Sequence, residues 1–248
     1  MSEANKNHEQ TGKTEHYEQT GVAITCRGYA EYERMFDLDE HTLRQGRVLD
    51  VSAGASSFAA EARTRAIDVT SADPRYSLPA GQIGEESYAE IETSTEKLTR
   101  LAHRFDWSYY GNIDNHKAGR LKSISLFLNE YATSAGRSHY AAERLPELSF
   151  PDDTFALVLC SHFLFLYQEQ FDDTFHRAAL AELLRVCRPG GEVRVYPLLS
   201  LRWEPYPHLT ELMEHLESLG GSCSLRASRM PFIPGSTQML CVRKNGQV

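Results

Sequence analysis

The chain has 248 residues, with 34 acidic against 26 basic side chains and a formal net charge of -8. This balance excludes a broad electrostatic attraction to nucleic acid, and the length suits one α/β domain with additions and a substantial core. The five cysteines, Cys26, Cys160, Cys187, Cys223 and Cys241, are odd in number and lack C-x-x-C spacing, and the ten histidines form no H-E-x-x-H set. Neither a disulfide framework nor a metal site is therefore expected. No charged-then-apolar leader opens the sequence and no run approaches the roughly 18 apolar residues of a membrane span. The expectation is a cytoplasmic protein with no membrane partner.

Residues 1–20 are polar, rich in Glu, Asn, Gln, Lys and His, and read as a flexible tail that cannot bury enough apolar surface to order itself. In the next segment, 21–45, Tyr29, Tyr32, Met35, Phe36 and Leu43 recur at helical spacing, which predicts one or two helices with a buried face. That face either packs on the core or forms a lid over a ligand. Gly46 to Phe58, GRVLDVSAGASSF, then reads as a buried strand, a tight turn of small residues from Ser52 to Ala55, and the start of a helix. Side chains this small let a ligand approach the backbone closely, and free N–H groups at the helix start face the same space.

Ser57 to Arg65 suits a helix, and Ala66 to Ala72 a second strand that stops at Asp73-Pro74, where proline removes a backbone donor. Asp73 lies about twenty residues beyond Gly54, where a nucleoside-binding fold places the carboxylate that accepts ribose hydroxyls. Asp68 is its rival but falls inside the strand pattern. Residues 80–137 are too long for a plain connection and read as an inserted helical layer. This insert contains the aromatic cluster Phe105, Trp107, Tyr109 and Tyr110, then an amphipathic helical pattern from Leu121 to Tyr131.

Ser138 to Ala142 forms a short third strand, and the apolar run Phe155 to Cys160, FALVLC, a central parallel one. It opens into Ser161-His162-Phe163-Leu164-Phe165-Leu166-Tyr167, and residues just past such a strand face the ligand crevice. A helix from Phe171 to Cys187 is expected to stop at Arg188-Pro189-Gly190-Gly191. A strand from Glu192 to Tyr196, a helix from Pro207 to Leu219 and two closing strands, Ser222 to Ser228 and Gln238 to Arg243, complete the chain.

This order of elements resembles the class I S-adenosylmethionine-dependent methyltransferases from about Gly46 to Arg243, apart from the insert. Val48-Leu49-Asp50-Val51-Ser52-Ala53-Gly54 is similar to the family's glycine-rich first motif, and Asp73 to its ribose acid. Ala142-Glu143-Arg144-Leu145-Pro146 through Phe155 resembles the third- and fourth-strand motifs, and Leu184 to Gly191 the approach to the fifth strand. The S-H-F-L-F-L-Y stretch and the W-x-Y in the insert also resemble a bacterial group of uncharacterised methyltransferase-like proteins. Ser52 and Ser56 depart from the pattern, standing where the family usually has glycines, and Ala141 stands where it often has an aspartate.

The resemblance implies an α/β fold, a Rossmann-like, mostly parallel seven-stranded sheet with helices on both faces, over 46–248, with the helical cap at 80–137. It implies S-adenosyl-L-methionine as cofactor, contacted by Asp50, Ser52, Ala53, Gly54, Asp73, Ala142, Cys160 and Ser161. Asp50 is expected to organise the loop. The implied reaction is methyl transfer to an oxygen, nitrogen or carbon of a small molecule, with the insert's rings packing as core or covering the sulfonium. His162, which titrates near neutrality when unperturbed, is the candidate base, and Tyr110 and Tyr167 are candidate substrate contacts. Holding nucleophile, carbon and sulfur in line can supply roughly 7 to 11 kcal/mol. Two alternatives stay open: attack on the aminocarboxypropyl group, releasing methylthioadenosine, and a non-catalytic cofactor-binding protein.

Overall fold

A computed structural model of the chain describes residues 16–230 and 232–246; the expected tail at 1–20 falls mostly outside the described residues. Ahead of the sheet come α1 (Tyr29–Met35) and α2 (Glu40–Leu43). Next follow β1 (Val48–Val51), α3 (Phe58–Arg63) and β2 (Val69–Ala72). The insert consists of α4 (Ala80–Arg100), α5 (Ile113–Tyr131) and α6 (Ser134–Arg137). The second half runs β3 (Tyr140–Ala141), β4 (Phe155–Ser161), α7 (Asp173–Val186), β5 (Cys187–Tyr196), α8 (Leu209–Ser218), β6 (Gly221–Ala227) and β7 (Gln238–Lys244).

The seven strands form one sheet in the order β3-β2-β1-β4-β5-β7-β6. The pairs from β3 to β5 are parallel, and β7 joins antiparallel to both β5 and β6. The direction of strand order therefore reverses between β1 and β4, and the crevice beyond the carboxyl ends of those two strands is where an α/β sheet of this kind binds its ligand.

The central strands are apolar on both faces because helices cover both. Along β4, Leu157 and Leu159 enter the cluster of Tyr29, Tyr32, Phe36 and Phe58, whereas Val158 and Cys160 enter the one built with Leu180, Leu183 and Val186. On β1, Leu49 and Val51 face the second cluster and Val48 the first. The two-residue period of a strand puts Asp50 on the side of Val48, and its Oδ1 accepts from Tyr32 there.

Two boundaries differ most from the sequence expectation. The Arg188-Pro189-Gly190-Gly191 stretch lies inside β5, which starts at Cys187. Its register against β4 breaks between Phe155↔Cys187 and Leu157↔Glu192, so the proline and glycines fill a bulge, where a missing ladder donor is tolerated. In the insert, the second long helix starts at Ile113, eight residues ahead of the amphipathic pattern, because the Asn112 side chain caps it by accepting from the Asn115 N–H.

Candidate functional site

The turn after β1 is built from small residues in special conformations. Ser52 takes φ +56° and Gly54 φ +59°, so Ser52 adopts the left-handed conformation that the glycine it replaces would take without strain. Each N–H from Ala53 to Ser57 already has a partner. Ala53 donates to the Ala72 carbonyl, Gly54 to Asp73 Oδ2 at 3.0 Å, Ala55 to the Thr25 carbonyl at 3.0 Å, Ser56 to the Ala53 carbonyl, and Ser57 to the Arg27 carbonyl and Ser123 Oγ. Asp73 organises this turn, whereas Asp50 was expected to. Its Oδ1 accepts from the Arg75 N–H at 2.9 Å, and the Tyr76 hydroxyl donates to the Gly54 carbonyl.

The segment 22–28 crosses directly over this turn. A Cβ placed on Gly54 would stand 2.7 Å from the Thr25 carbonyl oxygen, so the close approach that glycine permits is used by the protein's own backbone. Ser56 Oγ accepts from the Arg27 N–H at 3.2 Å. The serine that departs from the glycine pattern thus pins this strap to the loop.

On the far side of the strap lies a cavity of about 120 Å³, lined by Ile24 to Arg27, by Ile91 and Leu98 of α4, by His116 and Arg120 of α5, and by His162, Leu166 and Tyr167 beyond β4. Phe105, Trp203, Phe232 and Ile233 close it. Phe105 and Phe232 stack at 4.8 Å, and Trp203 meets Phe105 edge-on. His162 directly follows β4 with φ +51°, and its Nδ1 lies 2.9 Å from Ser161 Oγ. Burial, and then the guanidinium groups of Arg27 and Arg120, hold its pKa well below the usual histidine value. The imidazole is therefore neutral at pH 7.

A buried charge cluster forms one wall. Arg120 Nη1 donates to both Glu31 oxygens, at 2.7 and 2.9 Å, and to the Cys26 carbonyl; its Nη2 donates to the Tyr110 hydroxyl, which donates in turn to Glu31 Oε1. Burial pushes the Glu31 carboxyl up, and Arg120 and Arg27 more than reverse it, leaving it below its ordinary value. His116 Nε2 sits 3.1 Å from Arg120 Nη2, and burial followed by the two arginines lowers its pKa to about 2. A guanidinium only donates, so Nε2 is the acceptor and the ring proton is on Nδ1.

The structure thus separates the sequence candidates into groups. Ser52, Ala53, Gly54 and Asp73 meet under the strap, and none of them lines the cavity. His162 and Tyr167 line it, with the Tyr167 hydroxyl accepting from the Ala23 N–H. Tyr110 is tied to Glu31 and Arg120 and does not. Ser161 is buried beside Met35 and orients His162. Ala142 is exposed just past β3, and the Cys160 thiol packs in the sheet core, where burial pushes its pKa up to about 12. Asp50 is fully buried, with Oδ2 lacking any partner, and burial raises its pKa well above the carboxylate range.

Sequence reasoning missed Arg27, Glu31, His116 and Arg120. Glu31 and Arg120 lie 89 residues apart, and nothing local to either marks it as half of a buried pair. A polar residue on an otherwise apolar helical face at Glu31 was the one available signal.

Comparison with known proteins places these features in context. A family profile described as a methyltransferase domain matches residues 122–195. The uncharacterised protein MJ0045 of Methanocaldococcus jannaschii is 30% identical over 224 residues, which are 90% of this chain and 96% of that protein. Among solved structures, a SAM-dependent methyltransferase from Methanosarcina mazei is similar with 12% identity and a TM-score of 0.45, over 84% of this chain and 97% of that one. The 1,6-didemethyltoxoflavin-N1-methyltransferase of Burkholderia thailandensis, with its bound substrate and S-adenosylhomocysteine, is similar with 17% identity and a TM-score of 0.45, over 84% and 74%.

Proposed function

Because the chain belongs to the class I S-adenosylmethionine-dependent methyltransferase family, in one family with the M. jannaschii protein, we propose that its methyl acceptor is a small molecule held in the cavity beside His162. The cofactor, when bound, supplies an electrophilic methyl group on a sulfonium that leaves as a neutral thioether. The carrying observation is the position of His162. It lies at the end of β4, beside the strand-order reversal, and opens on a mostly apolar cavity whose 120 Å³ is the scale of one small ring.

The chain's own residues fit a nucleoside in kind. Asp73 spends one lone pair on each oxygen in accepting the Gly54 and Arg75 N–H groups, which leaves acceptor capacity for ribose hydroxyls. The small residues from Ser52 to Ala55 are those a close approach needs. In the arrangement described, however, that approach is taken by Thr25. Binding at this face therefore requires the strap to lift off the loop, breaking the bonds from Arg27 to Ser56 and from Ala55 to Thr25. His162 then acts as a neutral hydrogen-bond acceptor for the nucleophile, oriented through Nδ1 by Ser161.

Hydrogen exchange with and without S-adenosylhomocysteine tests this route. The Arg27 amide is expected to lose protection when the ligand binds. Calorimetrically confirmed binding that leaves that amide as protected as before would contradict it.

A further inference from the structure

We infer that the cavity recognises an organic carboxylate on a compact, ring-sized body, with Arg27 as its cationic anchor. This deepens the small-molecule acceptor reading and rests on it. Two arginines line the cavity, Arg27 and Arg120, but Glu31, Tyr110 and the Cys26 carbonyl hydrogen-bond to Arg120 and not to Arg27, on which Glu31 acts only as a charge beyond ion-pair distance. Arg27 has no ion pair within 4 Å among the described residues, and its Nη1 is buried with no hydrogen-bond partner. A second donor in the same wall is equally unspent: His116 Nδ1, which carries the ring proton, is buried without an acceptor. The one carboxyl group in the lining, Glu90, forms no ion pair with Arg27, and burial raises its pKa.

A buried guanidinium with no hydrogen-bonded counter-ion is costly, and an anion arriving from outside offsets that cost. The partner must be an acceptor with negative charge. A carboxylate presents two oxygens that suit the planar guanidinium and leave capacity for the imidazole N–H. Phe105, Trp203 and Phe232 supply flat apolar walls for the rest of the ligand. The methionine part of the cofactor also ends in a carboxylate. None of Ser52 to Ser57, nor Asp73, lines this cavity, so with the strap in place it is the acceptor rather than the cofactor that reaches Arg27.

Phenylacetate and its neutral analogue phenylacetamide serve as probes in calorimetry on the full chain. The wild-type protein is expected to bind the acid roughly 10- to 100-fold more tightly than the amide, the range for a hydrogen bond to a charged group. Arg27→Gln should abolish that preference with no fall in its thermal unfolding temperature and with its affinity for S-adenosylmethionine unchanged. Equal affinity for the two probes in the wild type, no binding of either, or a preference that survives in Arg27→Gln would overturn the assignment. So would a variant that loses affinity for S-adenosylhomocysteine but keeps it for methylthioadenosine, since Arg27 would then hold the cofactor's carboxylate. Probe binding requires no turnover, so a failure of the methyl-transfer reading would be seen separately, as normal probe discrimination without a methylated product.

Discussion

Glu31→Ala is expected to destabilise the protein by about 3 to 5 kcal/mol, the cost of breaking a buried ion pair from one side. Glu31 and Arg120 are only 6% and 7% exposed. The carboxylate accepts from Arg120, from the Tyr110 hydroxyl and from the Gly28 N–H at the start of α1. Its removal leaves two guanidinium groups, Arg120 and Arg27, in one apolar wall with no counter-charge between them. It also releases α1 from α5, because Arg120 projects from α5 to reach Glu31. Denaturant unfolding measures the effect directly, and a loss below about 1 kcal/mol would show that the cluster does not hold the insert to the N-terminal segment. Glu31→Gln should fall between, since the amide keeps one acceptor for Arg120 but not its charge.

Replacement of His162 by alanine should lower turnover by about 10²-fold, the lower end of what a positioned base contributes. The low end applies because burial, with Arg27 and Arg120 after it, holds the His162 pKa well below 6.5, which keeps the imidazole neutral and free to accept a hydrogen bond but makes it a weak proton sink. A pKa depressed in the folded protein means that the neutral ring persists as pH falls through the ordinary histidine value, so the pH dependence of kcat/KM should show no His162 limb near 6.5. A carboxylate bound beside Arg27 cancels part of the positive field and moves that pKa upward, so the limb measured on kcat should lie at higher pH than the one on kcat/KM. Turnover within threefold of the wild type in His162→Ala would remove the residue from the mechanism.

How much of this was legible beforehand follows from the range of each interaction. The sheet was readable because its signals are local: FALVLC is apolar on both faces, and Asp73-Pro74 ends a strand in chemistry that two residues carry. That His162 and Tyr167 would line a cavity was readable for the same reason, since a residue just past a central parallel strand has few other places to face. The strap was not. Residues 22–28 are extended and irregular, with no periodicity, and the bonds that place them run to Ser56, Ala55 and Ser57, nearly thirty residues on. Nor were the roles of the two acids, since only the fold shows that Asp73 accepts from Gly54 while Asp50 turns away toward Tyr32. Ser56 gives the sharpest case. In the sequence it is a lost glycine, and in the fold its hydroxyl holds the strap.

We propose that a methyl group passes from S-adenosylmethionine to a small acceptor bound beside His162 and Arg27. The most direct measurement is mass spectrometry of both products after incubation with S-adenosylmethionine and a fraction of small metabolites, run in parallel for the wild type and Arg27→Gln. The expected products are S-adenosylhomocysteine and a carboxylate-bearing compound about 14 mass units heavier than its precursor, both reduced in the variant. Methylthioadenosine as the by-product, or S-adenosylmethionine recovered intact, would contradict it.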